Sequence, residues 1–362
     1  MGNSLIIIGE SLIYNKPFMD YVMENLNKHI VLFDVIKHLN KNDNNFFLDL
    51  EETINKYKQT IIIAEEDSYN FVNKIFSTLN SDNLVLKDNM LIPSKSIMYS
   101  NNSYLVKKDD NLINVISVCE NEKMPDILIG DIDECKTFTI IDIDMDSINI
   151  LLDPLCSTYE IKISTTSIVP GWTNVNARAY KYGNLENFLK SVKSLLTHKY
   201  IDTDDVIAHI ATSLEKNKKK ITAVESCTGG LISSMLTKHP GVSAVFDGGL
   251  VTYANEIKES WLGVTKETLD RFGAVSEECL REMLDGALQI SKADYALATS
   301  GIAGPDGGSV QKPVGTVYVG VKTKNGDMKI ERLLLKGDRK YIQKQSAYHA
   351  FKLLLEIDKE LF

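Results

Sequence analysis

The chain has 362 residues, 44% of them hydrophobic and 25% charged, which allows two or three domains of ordinary globular composition, each with its own core. Its formal net charge of −9 excludes a global basic field that would gather nucleic acid or an anionic membrane, so an anionic substrate needs a local positive site.

From the N-terminus, residues 4–8 read as a buried strand, 17–26 as a helix through Phe18, Tyr21, Val22 and Leu26, 30–35 as a strand and 48–57 as a helix. Residues 60–64 form another buried strand and 69–79 another helix, an alternation that predicts a parallel sheet. From 82 to 118 the pattern changes to short β segments with Asn-rich turns. A middle stretch, 136–198, predicts strands at 137–141, 148–152 and about 160–165, a turn at Pro170-Gly171 and a helix over 185–196, a mixed α+β module.

The last part is more sharply patterned. Thr203, followed by Asp204 and Asp205, reads as an N-cap for a helix with the apolar stripe Val206, Ile207, Ile210, Ala211 and Leu214. Lys218 to Lys220 form a solvated connector to a strand at 221–224, and a helix follows Gly229-Gly230 and ends near His239-Pro240-Gly241. Next come a strand at 249–253, a helix at 255–262, a helix capped by Ser276 and running to about 292, and a strand at 295–299. Strands at 314–322 and 328–335 flank the hairpin signal Lys324-Asn325-Gly326-Asp327, and a final helix covers about 338–357.

The five cysteines are scattered without C-x-x-C spacing, so neither a disulfide framework nor a zinc site is expected, which fits a reducing cytosol. The first ten residues lack a basic segment and a long apolar run, and no stretch is apolar enough to span a bilayer. The expectation is a cytoplasmic protein with neither a nucleic-acid nor a membrane partner.

Four clusters could carry chemistry. In the first, Glu225-Ser226-Cys227-Thr228-Gly229-Gly230 joins a buried strand to a helix, so Ser226 sits where unpaired helix-start amides could hold an oxyanion or phosphate. Ser226 or Thr228 could equally be no more than a helix cap. In the second, Tyr253 ends a strand and Lys258 follows in the first turns of a helix. No histidine lies near a recognisable nucleophile, and a lysine desolvated by burial can replace it as base, although most lysines are surface groups. The third, Ser300 to Gly308, leaves the C-terminal end of a strand with four glycines and a proline, and matches neither a Walker A loop nor a Rossmann fingerprint. It is either a ligand loop or an irregular structural turn. The fourth, Lys336-Gly337-Asp338-Arg339, places Arg339 at a strand–helix junction, for a phosphate or for a neighbouring acid. Cys227 is the rival nucleophile, but side chains alternate at a strand end, so Ser226 and Cys227 should face different ways and Cys227 reads as buried structure.

Together these clusters resemble the C-terminal domain of the CinA competence/damage-inducible family, over about 203–358. The strings ESCTGG (225–230), GGLVTYANEIK (248–258), GAVSE (273–277), SGIAGPDGG (300–308), KPVGTVYV (312–319) and GDR (337–339) occur in order. The resemblance implies a cofactor-free, metal-free amidase that converts nicotinamide mononucleotide to nicotinic acid mononucleotide and ammonia. It implies Ser226 as nucleophile, Lys258 as base and Tyr253 in the proton network. Amides around Thr228, Gly229 and Gly230 would face the oxyanion. Asn255, Gly301, Ala303, Gly304, Asp306, Gly307, Gly308 and Arg339 would bind the pyridine nucleotide. It also implies a homodimer and three parts: a molybdopterin-binding-like α/β domain (1–130), a small KH-like α+β module (131–199) and the α/β amidase domain (200–362).

In that family the first domain can hydrolyse ADP-ribose with a divalent metal, through a Gly-Thr-Glu near the first strand and a GGxGPTxDD-like loop. Here Ile8-Gly9-Glu10-Ser11 and Ile63-Ala64-Glu65-Glu66-Asp67-Ser68 stand in those places, so the fold is expected without that activity. The competing expectations are a non-catalytic nucleotide-binding regulator in competence or DNA damage, and an ADP-ribose pyrophosphatase.

Overall fold

A computed structural model describes residues 2–30, 32–79, 81–130, 134–180 and 182–362. The chain divides into two compact units, Met1–Cys135 and Lys136–Phe362.

The first unit contains β1 (Asn3–Ile8), α1 (Ser11–Tyr14), α2 (Lys16–Leu26), β2 (Val35–His38), α3 (Phe46–Lys56), β3 (Gln59–Ala64), α4 (Glu66–Leu79), β4 (Leu84–Lys87), β5 (Met90–Pro93), β6 (Met98–Ser100), β7 (Ser103–Lys108) and β8 (Asn111–Ser117). Its main sheet runs β2-β1-β3-β8-β7-β6, parallel through β8, while β4 and β5 pair separately. Every residue of β1 and β3 is buried. Helices cover both faces, which is why these strands read as unbroken apolar runs. Alternate residues feed two cores: Ile6, Ile8 and Ile62 on one face, Leu5, Ile7 and Ile61 on the other. The strand expected at 30–35 forms at Val35–His38 instead, and residue 31 lies outside the described residues.

The second unit opens with β9 (Cys135–Ile141), α5 (Met145–Tyr159), β10 (Ile161–Val169), β11 (Trp172–Ala179), α6 (Leu185–Leu196) and β12 (Tyr200–Ile201), with sheet order β10-β11-β9-β12. Residues 148–152, expected as a strand, lie inside α5. Ile148 and Leu152, four apart, are buried while Ile150 is 74% exposed, a helical pattern that the short segment Ile148-Asn149-Ile150-Leu151-Leu152 conceals.

There follow α7 (Val206–Lys216), β13 (Ile221–Glu225), α8 (Leu231–Thr237), β14 (Phe246–Val251), α9 (Asn255–Leu262), α10 (Lys266–Phe272), α11 (Glu277–Ser291), β15 (Tyr295–Gly301), β16 (Thr316–Thr323), β17 (Met328–Leu334) and α12 (Arg339–Ile357). The sheet order is β14-β13-β15-β16-β17, with β13 parallel to both neighbours. One face packs on α7, α8 and α12 through Ile221, Ala223, Leu297 and Val319; the other packs on α9 and α11 through Val224, Ala296 and Ala298. The result is a three-layer α/β arrangement in which β13 lies between β14 and β15. The cap of α7 is Asp205, which accepts from the Ala208 amide, while Thr203 Oγ1 accepts from the Asp205 amide one step upstream. Among the described residues no helix is long and apolar enough to cross a membrane.

Candidate active site

The site forms at the C-terminal edge of the parallel strands, where α/β sheets open onto their connecting loops. β13 is buried at all five positions and ends at Glu225. Ser226 follows, with its amide donating to Thr299 O (3.0 Å) while the Thr252 amide donates to Glu225 O (2.8 Å). The Ser226 backbone is therefore pinned between the ends of β14 and β15. Gly229 and Gly230 then take positive φ, 62° and 98°, to turn the chain into α8.

Lys258 arrives from the second turn of α9. It is 1% exposed, and its Nζ lies 3.2 Å from Ser226 Oγ, 2.7 Å from Thr252 O and 3.0 Å from Tyr253 O. Among the described residues it has no ion-pair partner. Burial disfavours the ammonium form and holds Lys258 below the usual lysine range, with the nearby Cys279 and Cys227 opposing more weakly. Two carbonyls can take the two N–H bonds of a neutral amine, which leaves its lone pair for the serine hydroxyl. A lysine so placed can act as a general base.

The helix-start amides behave differently from expectation. The Gly229 amide donates to Ser226 O, and those of Gly230, Ile232 and Ser233 donate to the Glu225 carboxylate. Gly229 and Gly230 are thus held inside the turn and do not face a ligand. Thr228 Oγ1 donates to Glu225 and accepts from Thr299 Oγ1, also away from the cavity.

A cavity of about 260 Å³ opens over Ser226 and Lys258. Of the expected residues it is lined by Ser226, Tyr253, Lys258, Gly301, Ala303, Gly304, Asp306, Gly307 and Arg339. Thr228, Gly229, Gly230, Asn255 and Gly308 are not on its wall. Asn255 instead starts α9, and Gly308 packs against the backbone of Val314, so that an added Cβ would come within 2.8 Å of that amide nitrogen. Sequence reasoning missed Ala274, Val275, Ser300 and Ile302, although all four stand inside strings that carried the resemblance. Ser300 Oγ donates to Ala274 O (2.7 Å), tying β15 to the approach to α11. Gln343, also missed, donates to Cys227 O (2.7 Å) from α12.

Arg339 is the first residue of α12, with Asp338 as its cap. Its guanidinium donates to Gly304 O (2.8 Å) and Tyr253 Oη (3.0 Å), so it bridges two other residues of the cavity wall and, among the described residues, has no ion-pair partner. The Tyr253 hydroxyl is therefore engaged by Arg339; it is Tyr253's backbone oxygen that orients Lys258. Cys227 reaches the cavity wall beside Ser226, contrary to the alternation argument, because the chain leaves the extended conformation at residue 226. It is nonetheless 4% exposed within the core, and burial pushes its thiol up to about 12, which leaves little thiolate for attack.

In the first unit, Glu65 at the end of β3 accepts from the Ser11 amide (2.6 Å) and from Ser11 Oγ. A Cβ on Gly9 would fall 2.4 Å from the Glu65 carboxyl carbon. A cavity of about 290 Å³ lies beyond β1, and the Glu65 carboxylate forms part of its wall beside Gly9.

Residues 203–357 match the family model described as the CinA C-terminal domain. The chain belongs to the CinA family. A CinA-like protein of Leptospira biflexa is 42% identical over 174 residues, 48% of this chain and 41% of that protein. One from Fervidobacterium nodosum is 52% identical over 141 residues, 39% of this chain and 34% of that protein. The matched stretches thus span less than half the length of these curated relatives. Two solved structures are also similar to part of the chain. A competence/damage inducible protein of Agrobacterium tumefaciens is 40% identical, covering 42% of this chain and 94% of that one, at a TM-score of 0.42. A competence damage-inducible protein of Klebsiella pneumoniae is 36% identical over the same shares, at a TM-score of 0.41.

Proposed function

We propose that the CinA domain of this chain hydrolyses the carboxamide of nicotinamide mononucleotide, with Ser226 as nucleophile and Lys258 as base. The observation that carries the reading is the buried Lys258 Nζ, 3.2 Å from Ser226 Oγ and oriented by two backbone carbonyls. Neutral Lys258 takes the Ser226 proton as Oγ bonds to the amide carbon, and the carbonyl electron pair moves onto oxygen. The amide of Cys227, a residue of the cavity wall with no backbone acceptor among the described residues, is a candidate donor to that oxyanion. Collapse breaks the C–N bond, and the leaving nitrogen takes the proton from Lys258 to depart as ammonia. Water then adds to the acyl group as Lys258 accepts its proton, and the acyl–Oγ bond breaks as Lys258 returns that proton to Oγ, which releases the acid and restores the serine hydroxyl and neutral Lys258.

Arg339 at the mouth supplies the local positive group that the phosphate of an acidic protein's substrate requires. The cavity volume, about 260 Å³, suits a mononucleotide better than a dinucleotide. In the first unit, a carboxylate where phosphates would approach supports the reading that metal-dependent ADP-ribose cleavage is lost.

The test is ammonia release from nicotinamide mononucleotide, with EDTA present, by the wild type and Ser226→Ala. Turnover by the wild type alone supports the serine amidase; turnover surviving in the variant refutes it.

A further inference from the structure

Glu225 is 0% exposed and, among the described residues, none of its hydrogen-bond partners is a cation. Carboxylates are almost never buried so fully without a partner. Here the partners are five donors. Oε2 accepts from Thr228 Oγ1 (2.7 Å) and the amides of Gly230 and Ile232 (both 3.0 Å). Oε1 accepts from the Ser233 amide (2.9 Å) and Ser233 Oγ (2.8 Å). The residue before the nucleophile thus reaches over the turn and caps α8, the helix that follows the nucleophile. A negative group at that end also suits the helix dipole.

We propose that Glu225 is the positioning residue of this site: its carboxylate fixes the 226–230 turn so that Ser226 Oγ stays within reach of Lys258 Nζ. The proposal rests on the Ser226–Lys258 reading. Glu225 itself touches no cavity, as the cavity wall includes Ser226 and Cys227 but not Glu225. The backbone contacts of Ser226 and Glu225 to Thr299 and Thr252 hold the near side of the turn. The far side is held by the five carboxylate bonds and by the Thr228–Thr299 hydroxyl contact (2.7 Å) that branches from them. Glutamine cannot reproduce this, because three of the five donors are backbone amides and one of its terminal atoms would be an NH₂ facing them. A displacement near 1 Å is enough to reduce such a reaction by about 100-fold.

The experiment uses the full chain and a readout independent of the substrate assignment: the rate at which phenylmethylsulfonyl fluoride modifies Ser226, followed by mass spectrometry across pH, with Ser226→Ala as blank. The wild type is labelled, with a rate that rises with pH as Lys258 loses its proton. Glu225→Gln is labelled about 100-fold more slowly at the plateau, with the pH midpoint unchanged and kcat rather than KM reduced in parallel. A loss of fold stability alone would leave the plateau rate of the folded protein where it was. Glu225→Gln labelled within about threefold of the wild type, or a moved midpoint with an unchanged plateau, overturns the proposal. If Glu225→Gln does not fold, Ser233→Ala decides: it removes one of the five bonds, and a rate equal to the wild type's overturns the proposal, whereas slowing supports it. An unlabelled wild-type Ser226 also overturns it. Labelling without ammonia release from nicotinamide mononucleotide retires that substrate alone, and the comparison of variants still decides the role of Glu225.

Discussion

Replacing Lys258 with methionine separates what this residue does for catalysis from what it does for the fold. Lys258→Met keeps the side chain's length and volume and removes the amine. Loss of a general base predicts a fall in kcat of about 10²–10⁴-fold. Stability should move in a pH-dependent way. Burial lowers the folded-state pKa of Lys258 below its unfolded value of 10.5. Between those two values the unfolded chain binds more protons at this group than the folded one, so wild-type stability rises with pH there.

Well above the unfolded pKa the amine carries no penalty, and the variant is the less stable protein by about 1–3 kcal/mol, from two carbonyls left without donors. As pH falls below the unfolded value, the wild type loses about 1.4 kcal/mol per pH unit relative to the variant, until the folded pKa is reached and the difference levels off. For a unit the size of Lys136–Phe362, that is roughly 3–5 °C in Tm per pH unit. Thermal unfolding of both proteins across pH gives the curve, and comparison with the variant cancels all other titrating groups. The pH at which the difference levels off should coincide with the midpoint of the wild-type activity profile, since both report the same proton. A Tm difference independent of pH would refute the claim that Lys258 is a desolvated amine.

Arg339→Ala should raise KM about 10- to 100-fold with a smaller change in kcat, and lysine should restore little because the two-pronged reach to Gly304 O and Tyr253 Oη needs a guanidinium; initial-rate kinetics check this. Gly286→Ala should lower stability by about 1–3 kcal/mol and also reduce kcat, since a Cβ there would fall 2.1 Å from Leu262 O at the end of the helix that carries Lys258; calorimetry with kinetics reads both, and unchanged values would show that α9 can shift freely. The full chain with Ser226→Ala and added manganese should give no ADP-ribose cleavage when AMP and ribose 5-phosphate are assayed by chromatography, and cleavage would show that the Glu65-lined cavity still admits substrate.

Local chemistry made several elements legible in sequence. The Asn325-Gly326 pair marks the β16–β17 hairpin, and Ser276 with Glu277 and Glu278 marks the start of α11, where Ser276 does accept from the Cys279 amide (3.2 Å). The apolar run before two glycines marks the strand, turn and helix around Ser226. These signals act within a few residues, so one chain suffices to read them. The same short range explains the failure at 148–152, where Ile-Asn-Ile-Leu-Leu is too short to show a helical period and only burial on one side selects the helix.

What tertiary structure alone decides is which groups meet. Ser226 and Lys258 are 32 positions apart, and only the parallel pairing of β13 with β14 sets Nζ against Oγ in a pocket dry enough to lower the lysine's pKa. Arg339 joins them from 86 residues beyond Tyr253. The glycine-rich turn suggested free amides, but whether an amide is free depends on its acceptors, and the acceptor is the carboxylate of Glu225. Desolvation and hydrogen-bond competition are properties of packed space. The sequence names the groups able to react, and the fold determines which of them are dry, paired or open to a ligand.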